Sequence, residues 1–400
     1  MISLTPHSPS NLPGELLDKC TEVYKQSAKL EATIRPGLSQ AVRSLLELVN
    51  SYYSNKMEGN PTQPADILKT QYFSNDNEVT NAKDDTRDAY TEILAHIAAQ
   101  QYLSAHPPGF AAIASSECMQ DIHKHFFERV PEQHRKIEHP STKQVHIVVP
   151  GELRTTQVTV GNHVAPRSEE LNGYMNWFHS SYRLDHLHGN TRLIAAAAAH
   201  HRLLWIHPFL DGNGRVARLF TDTYLKMAGV DGHGLWSISR GFSRTMGHYK
   251  SALARADYPR QGVTDGRGIL SDKGLFEFQN YFFDTCLDQI NYIIGLLDVQ
   301  GFNHRLEAYV TMRCSGGGRN IFGQPLNSWR PQTALLLQAV ISNINIKRSQ
   351  VPAITGLGDT LSRKLVNQLI HEGWLTGKDK QPLQLKLPSD GISPLFPHLW

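Results

Sequence analysis

His207-Pro208-Phe209-Leu210-Asp211-Gly212-Asn213-Gly214-Arg215-Val216-Ala217-Arg218 gathers a base, an acid, two glycines and two arginines into twelve consecutive positions. Upstream, Arg192 to Ile206 reads as a helix with an alanine-rich middle. Pro208 stops it, because proline has no N–H to continue the ladder and pushes its predecessor out of the helical region. Downstream, Val216, Leu219, Phe220, Thr223, Tyr224 and Met227 recur at the spacing of one helical face, and Gly229 is a suitable terminator. The stretch is a helix–loop–helix closed by Gly-Asn-Gly.

Such a loop suits an anion. The first N–H groups of the second helix lack intrahelical acceptors, and the helix dipole adds positive potential there. Arg215 and Arg218 lie three apart on that helix, so both forks can lean toward the same phosphate group. Asp211 supplies a hard oxygen of the kind magnesium takes alongside phosphates and water. His207 has the side chain that accepts a proton near neutral pH. A base, a metal ligand and an anion cradle together describe transfer of part of a nucleotide to a hydroxyl.

The pattern His-x-Phe-x-Asp-Gly-Asn-Gly-Arg-x-x-Arg is the signature of Fic domain proteins, and every fixed position of it is present, so the chain resembles that family over about residues 40–300. The resemblance implies a mainly α fold, a Fic helical core with a small β-hairpin flap, and a protein adenylyltransferase that moves AMP from ATP to a Ser, Thr or Tyr hydroxyl of a target protein. Carried over by position, His207 deprotonates the hydroxyl, Asp211 holds Mg2+, Asn213 binds the α-phosphate, and Gly212 to Gly214 line the anion hole. Arg215 takes the inner phosphates, Arg218 the γ-phosphate, and Phe209 points into the core. Other readings are a Fic transferase that uses another nucleotide or removes AMP, and a nucleotide-sensing DNA-binding regulator.

From Gln40, Val42, Leu45, Leu46, Val49, Tyr52 and Tyr53 form one helical stripe that ends near Glu58, where Gly59 and Pro61 are stop signals. A carboxylate in a last helical turn opposes the dipole. The stretch Ser54 to Asn60 resembles the Fic inhibitory motif Ser/Thr-x-x-x-Glu-Gly/Asn. That resemblance implies that Glu58, with Ser54, reaches Arg218 and keeps ATP out of its productive pose.

Val145 to Val149 and Leu153 to Val160 are rich in β-branched residues, with Pro150-Gly151 and Gly161-Asn162 as turn signals, so a hairpin is predicted over about 145–161. It resembles the Fic flap, which adds a target peptide as an extra strand. Arg154, Val158 and Val160 are then the target-docking residues, with Thr159 on the other face. The resemblance also implies that the region after the motif approaches the adenine, which makes Tyr249 the candidate for that contact. His186, His188, His200 and His201 have no carboxylate or cysteine at a recognised ligand spacing.

Residues 1–38 read as an irregular lead-in around one short helix, 39–135 as a helical region with the inhibitory helix at about 40–58, and 136–312 as the Fic core. The glycine-rich stretch at 313–329 reads as a linker. Beyond it, helices at Gln332 to Ser342, Lys347 to Ile354 and Thr360 to Glu372 precede two strands at Trp374 to Thr376 and Leu383 to Leu387. This order over 330–400 resembles a winged helix, either a DNA-binding module facing DNA with Ser362, Arg363, Lys364 and Asn367 or a dimerisation or docking module. Eight Lys and Arg against four Asp and Glu in that segment favour phosphate contacts weakly.

The formal net charge of +3 over 400 residues indicates no partner by itself. The four cysteines, Cys20, Cys118, Cys286 and Cys314, form no CxxC pair, which speaks against a disulfide framework. Met1 to Pro6 lacks a secretion signal, and the longest apolar run, Leu193 to Ala199, is short of a membrane span. A cytoplasmic protein is expected, acting on a target protein, with a homodimer and DNA as further candidate partners.

Overall fold

The computed structural model describes residues 4–6, 14–73, 84–138, 143–161, 163–378 and 380–400. Met1 to Ser3, Asn162 of the Gly161-Asn162 turn, and Asp379 lie outside the described residues. The element order begins with α1 (Gly14–Thr33), α2 (Pro36–Met57), α3 (Pro64–Phe73), α4 (Asp84–Ala105) and α5 (Ser116–Phe127). Then come β1 (Lys136–Glu138), β2 (Val145–Ile147), β3 (Thr159–Val160), β4 (His163–Val164) and α6 (Leu171–Tyr182). The centre of the fold is α7 (Asn190–Ile206) and α8 (Asn213–Met227), followed by α9 (Ile238–Arg244), α10 (Met246–Ala256), α11 (Asp272–Leu297) and α12 (Val299–Cys314).

The alanine run explains how α7 takes the middle of the bundle. Ala195 to Ala199 have no exposed surface, and side chains this short let α6, α8 and α11 close around one helix. The 26-residue α11 packs on α1, α7, α9 and α10. Its Phe278, Phe282 and Phe283 are fully buried.

The lead-in differs from expectation. Residues 14–33 form a 20-residue helix, because Leu16, Cys20, Val23, Ser27 and Leu30 make a continuous buried stripe at three- and four-residue steps. No proline interrupts it, and it packs along α11.

The C-terminal part is α13 (Thr333–Ser342), α14 (Val351–Thr355), α15 (Asp359–His371), an antiparallel pair β5 (Leu375–Thr376) and β6 (Gln384–Leu385), and α16 (Ser389–Leu395). The helices and the strand pair fall where the hydrophobic pattern puts them, and α16 is a further element that the pattern does not mark. The linker also begins later than expected. Arg313 is the last turn of α12, fully buried, stacked on Trp329 at 4.1 Å and paired with Asp390 at 3.2 Å and with Glu372.

This part sits directly on α2. A Cβ on Gly37 would fall 1.8 Å from the Val340 carbonyl oxygen, so only glycine lets α2 start against α13. At the other end, Arg240 Nε and the Tyr53 hydroxyl donate to the Leu399 carbonyl at 3.0 and 3.3 Å.

Candidate active site

Helix α7 ends at His207, which adopts the left-handed conformation with φ 52° and ψ 62° and donates its backbone N–H to Leu203 O at 3.0 Å. Its ring is fixed as well. Nδ1 lies 3.2 Å from the Leu204 carbonyl, which can only accept, so Nδ1 carries the proton and Nε2 is the basic nitrogen. Burial pushes the ring's pKa down to about 4, and the neighbouring His163 and Arg154 push the same way, against the Leu204 bond and Asp211. The imidazole is neutral at pH 7.

Arg154 holds this helix end in place. Its Nε donates to His207 O at 2.7 Å, Nη1 to Thr156 O at 3.0 Å, and Nη2 to Pro166 O at 2.6 Å and Ile206 O at 3.4 Å. Its backbone N–H donates to Pro208 O at 2.9 Å. A cation on the last carbonyls of a helix satisfies orphan acceptors and suits the dipole. The docking role expected for the Arg154 side chain is therefore corrected: it is 4% exposed, and its donors are taken by main-chain oxygens. Arg154→Ala is expected to lower stability by ~2–3 kcal/mol, since truncation leaves several buried carbonyls without a donor. Urea midpoints of parent and variant check this.

The loop folds back on itself. Asn213 Oδ1 accepts from Phe209 N at 2.9 Å and its Nδ2 donates to Phe209 O at 2.8 Å, so the side chain expected at the α-phosphate is a staple across the loop. Phe209 is fully buried. Gly212 has φ 77°, and a Cβ there would lie 2.4 Å from the Phe127 ring, so both conformation and space exclude other residues. Asp211, with a side chain 45% exposed, stands at the mouth with Oδ2 3.2 Å from Arg215 Nη2. Arg215 also pairs with Glu92 at 3.0 Å and lies over Phe126 at 4.8 Å. Glu92 and Phe127 carry no local signal in the sequence, because their relation to the loop exists only through packing of α4 and α5 on α8.

Helix α2 ends where its stop signals put it, with Gly59 at φ 87°. From that end Glu58 Oε1 meets Arg218 Nη2 at 2.5 Å. Ser54 accepts from Arg218 twice, through Oγ at 2.8 Å and its carbonyl at 3.0 Å. A Cβ on Gly214 would fall 2.2 Å from the same Glu58 oxygen, so the carboxylate lies on the first turn of α8. Burial opposes its ionisation, but Arg218 and Arg215 outweigh burial and hold the carboxyl below its ordinary range.

Tyr249 lies in the core. It is 4% exposed, stacked on Phe242 at 4.5 Å, with its hydroxyl 2.8 Å from His200 Nε2. His200 Nδ1 meets Thr221 Oγ1 at 2.7 Å, so Tyr249 braces α7 and α8; the expected contact with an adenine is not what its burial supports.

The hairpin pairing is corrected too. β2 pairs with β1, and β3 pairs with β4, rather than the two runs pairing with each other. Pro150-Gly151 does not close a hairpin, because the chain after it is drawn beneath the loop by Arg154. Val160 is 48% exposed on β3, and Val158 beside it is half-buried. On α15, Arg363, Lys364 and Asn367 are exposed, whereas Ser362 is buried and donates to Leu357 O, so it does not face outward with them.

Residues 114–225, which include the whole loop, match the Fic/DOC family model. The chain carries a Fic domain. Proteins called protein adenylyltransferase Fic are similar to it: that of Culex quinquefasciatus is 30% identical over 218 residues, covering 54% of this chain and 38% of the relative. That of Nematostella vectensis is 29% identical over 224 residues, covering 54% and 46%. The chain thus matches less than half the length of these curated relatives. A Fic family protein from Desulfovibrio desulfuricans shares the fold with a TM-score of 0.52 at 15% identity, over 95% of this chain and 98% of that one. A Fic domain-containing signalling protein from Bacteroides thetaiotaomicron has a TM-score of 0.50 at 17% identity, over 69% of this chain. No helix among the described residues is long and apolar enough to cross a membrane.

Its buried histidines are expected to make the domain acid-sensitive. Burial holds the pKa of His123 and His200 at about 3 and that of His207 at about 4. In the unfolded chain all three titrate near 6.5, so below that pH the unfolded state binds more protons and stability falls as pH falls. Each ring adds a slope of ~1.4 kcal/mol per pH unit between 6.5 and its folded pKa. Chemical denaturation at pH 7, 6 and 5 is expected to show a steadily falling midpoint; a constant midpoint contradicts neutral rings.

Proposed function

We propose that this protein is an adenylyltransferase that moves AMP from ATP to a Ser, Thr or Tyr hydroxyl of a target protein and is held inactive by Glu58. The observation that carries the reading is the pairing, on one twelve-residue loop, of a neutral His207 with Nε2 as its basic nitrogen and the N-terminus of α8 with Arg215 and Arg218 beside it. The target hydroxyl oxygen attacks the α-phosphorus, the bond to the pyrophosphate oxygen breaks, and the hydroxyl proton passes to His207 Nε2. The amides of residues 213–215 and the two guanidinium groups take up charge on the phosphates without reorganising.

Among the described residues no three His, Cys, Asp or Glu side chains converge as a metal cage. A single carboxylate at the mouth fits the ion that ATP brings, because magnesium takes one or two protein oxygens and keeps phosphate and water for the rest. Asp211 is the residue that would hold it, and Mg2+ bound there would neutralise charge on the phosphates.

Glu58 supports the inhibited state of this reading. Its carboxylate lies on the α8 N-terminus and on Arg218, where a terminal phosphate belongs, and two anions do not share one cradle. The test is intact mass after incubation with magnesium and ATP. Glu58→Gly is expected to gain AMP on itself or on an added target, and Glu58→Gly/His207→Ala to gain nothing. Absence of any nucleotide adduct with every nucleotide triphosphate overturns the reading. An adduct of another mass changes the nucleotide and leaves the chemistry.

A further inference from the structure

We propose that His123 is a positioning residue that ties the end of the catalytic loop, at Asp211, to the turn at Gly151; the inference rests on the transferase reading of the loop. His123 lies on α5, fully buried, and belongs to no motif in the sequence. Gly151 N–H donates to its Nδ1 at 2.8 Å. Since an N–H can only donate, Nδ1 is bare and the proton sits on Nε2, which lies 3.3 Å from the Asp211 carbonyl and donates to it. One ring thus bridges two loops that are 60 positions apart in the chain.

The ring itself is held. It stacks on Phe209 with centroids 4.1 Å apart and planes at 12°, and packs on Phe127 at 4.5 Å, the residue that closes over Gly212. Helix α5 also grips the turn from the other side, because Gln120 Nε2 donates to Gly151 O at 2.9 Å. Gly151 has φ 83°, a conformation that strains other residues, and a Cβ there would lie a tight 3.2 Å from Lys124 Cβ.

Two outside ties therefore fix the loop. Arg154 holds its start at His207 O and Pro208 O, and His123 holds its end at Asp211 O. The carbonyl and the carboxylate of Asp211 share one Cα, so fixing the first limits where the second points. A histidine that only filled core would need the stack and neither hydrogen bond.

The test uses His123→Phe and His123→Gln in the Glu58→Gly protein. Phe keeps the stack and removes both bonds; Gln offers an oxygen to Gly151 and an N–H to Asp211. His123→Phe is expected to lower kcat ~10- to 100-fold, the range for an ångström-scale misplacement of a reacting group. KM for ATP stays within about twofold, because no phosphate contact is removed, and the half-saturating magnesium concentration rises. His123→Gln recovers most of kcat. Hydrogen exchange read in the same variants is faster at Gly151 and at residues 209–212 in the Phe variant and restored in the Gln variant. Parental kcat and exchange in His123→Phe overturn the proposal, as does a Gln variant no better than Phe on both readouts. If the Glu58→Gly parent transfers nothing, the transferase reading fails and exchange alone decides the tie: joint loosening of Gly151 and 209–212 sustains it, and unchanged exchange overturns it.

Discussion

Glu58→Gly is expected to raise the initial rate of AMP transfer roughly 10- to 100-fold, which corresponds to removing one charge-assisted contact worth about 1.5–3 kcal/mol from the competing inhibited state. The substitution removes the anion that lies on Arg218 and on the first turn of α8 while leaving Ser54, whose hydroxyl and carbonyl both accept from Arg218. Arg218 therefore keeps its position and gains an open face. The fold tolerates the change. Glu58 is the C-cap of α2, past the last helical residue, and Ser54 still accepts from Arg218 in the variant, so the cost in stability is the same ~1.5–3 kcal/mol of one charge-assisted contact. Glu58→Gln separates charge from shape: it fills the same volume with a weaker partner for Arg218 and is expected to lie between parent and Glu58→Gly. The readout is incorporation from ATP labelled on the α-phosphate, together with ATP affinity. Equal rates for parent and Glu58→Gly remove Glu58 as the inhibitor.

In that released background, loss of the His207 imidazole is expected to lower kcat by ~10^3-fold, within the span for a positioned general base. His207→Asn is the cleaner variant, because position 207 has φ 52° and asparagine tolerates the left-handed region better than alanine does. KM for ATP is expected to hold steady, since the described partners of His207 are Leu204 and, through its main chain, Leu203 and Arg154, none of which is a phosphate contact. A large rise in KM with kcat intact would instead make His207 a binding residue. The pH profile gives a second reading of the same group. Burial holds its pKa at about 4, so kcat/KM is expected to stay level from pH 8 to pH 5 and to decline as pH falls through about 4, where the ring takes up a proton and ceases to be a base. A decline centred near 6.5 means that the ring is solvated in the active form.

The twelve-residue loop determined the centre of this protein by itself. Pro208, the two glycines and the apolar spacing after Arg215 are local instructions, and local instructions are legible: helix α7 does end at 206, α8 does begin at Asn213, and α2 does stop before Gly59. Glu58 stands out locally because a carboxylate at a helix C-terminus opposes the dipole, whereas its pairing with Arg218 is implied only by the resemblance to the Fic inhibitory motif. What only the tertiary structure decided is which distant groups meet. Arg154 looks like an exposed flap charge in the sequence and is a buried clamp, because the carbonyls that accept from it lie at the end of a helix some fifty residues on. The β-branched runs announce strands but not partners, and short strands take whichever neighbour the surrounding helices leave open. Glu92, His123 and Phe127 gained their places at the loop from the packing of α4 and α5 on α8. Periodicity reports which face of a helix is buried; it carries no information about the polar atom waiting on the other side.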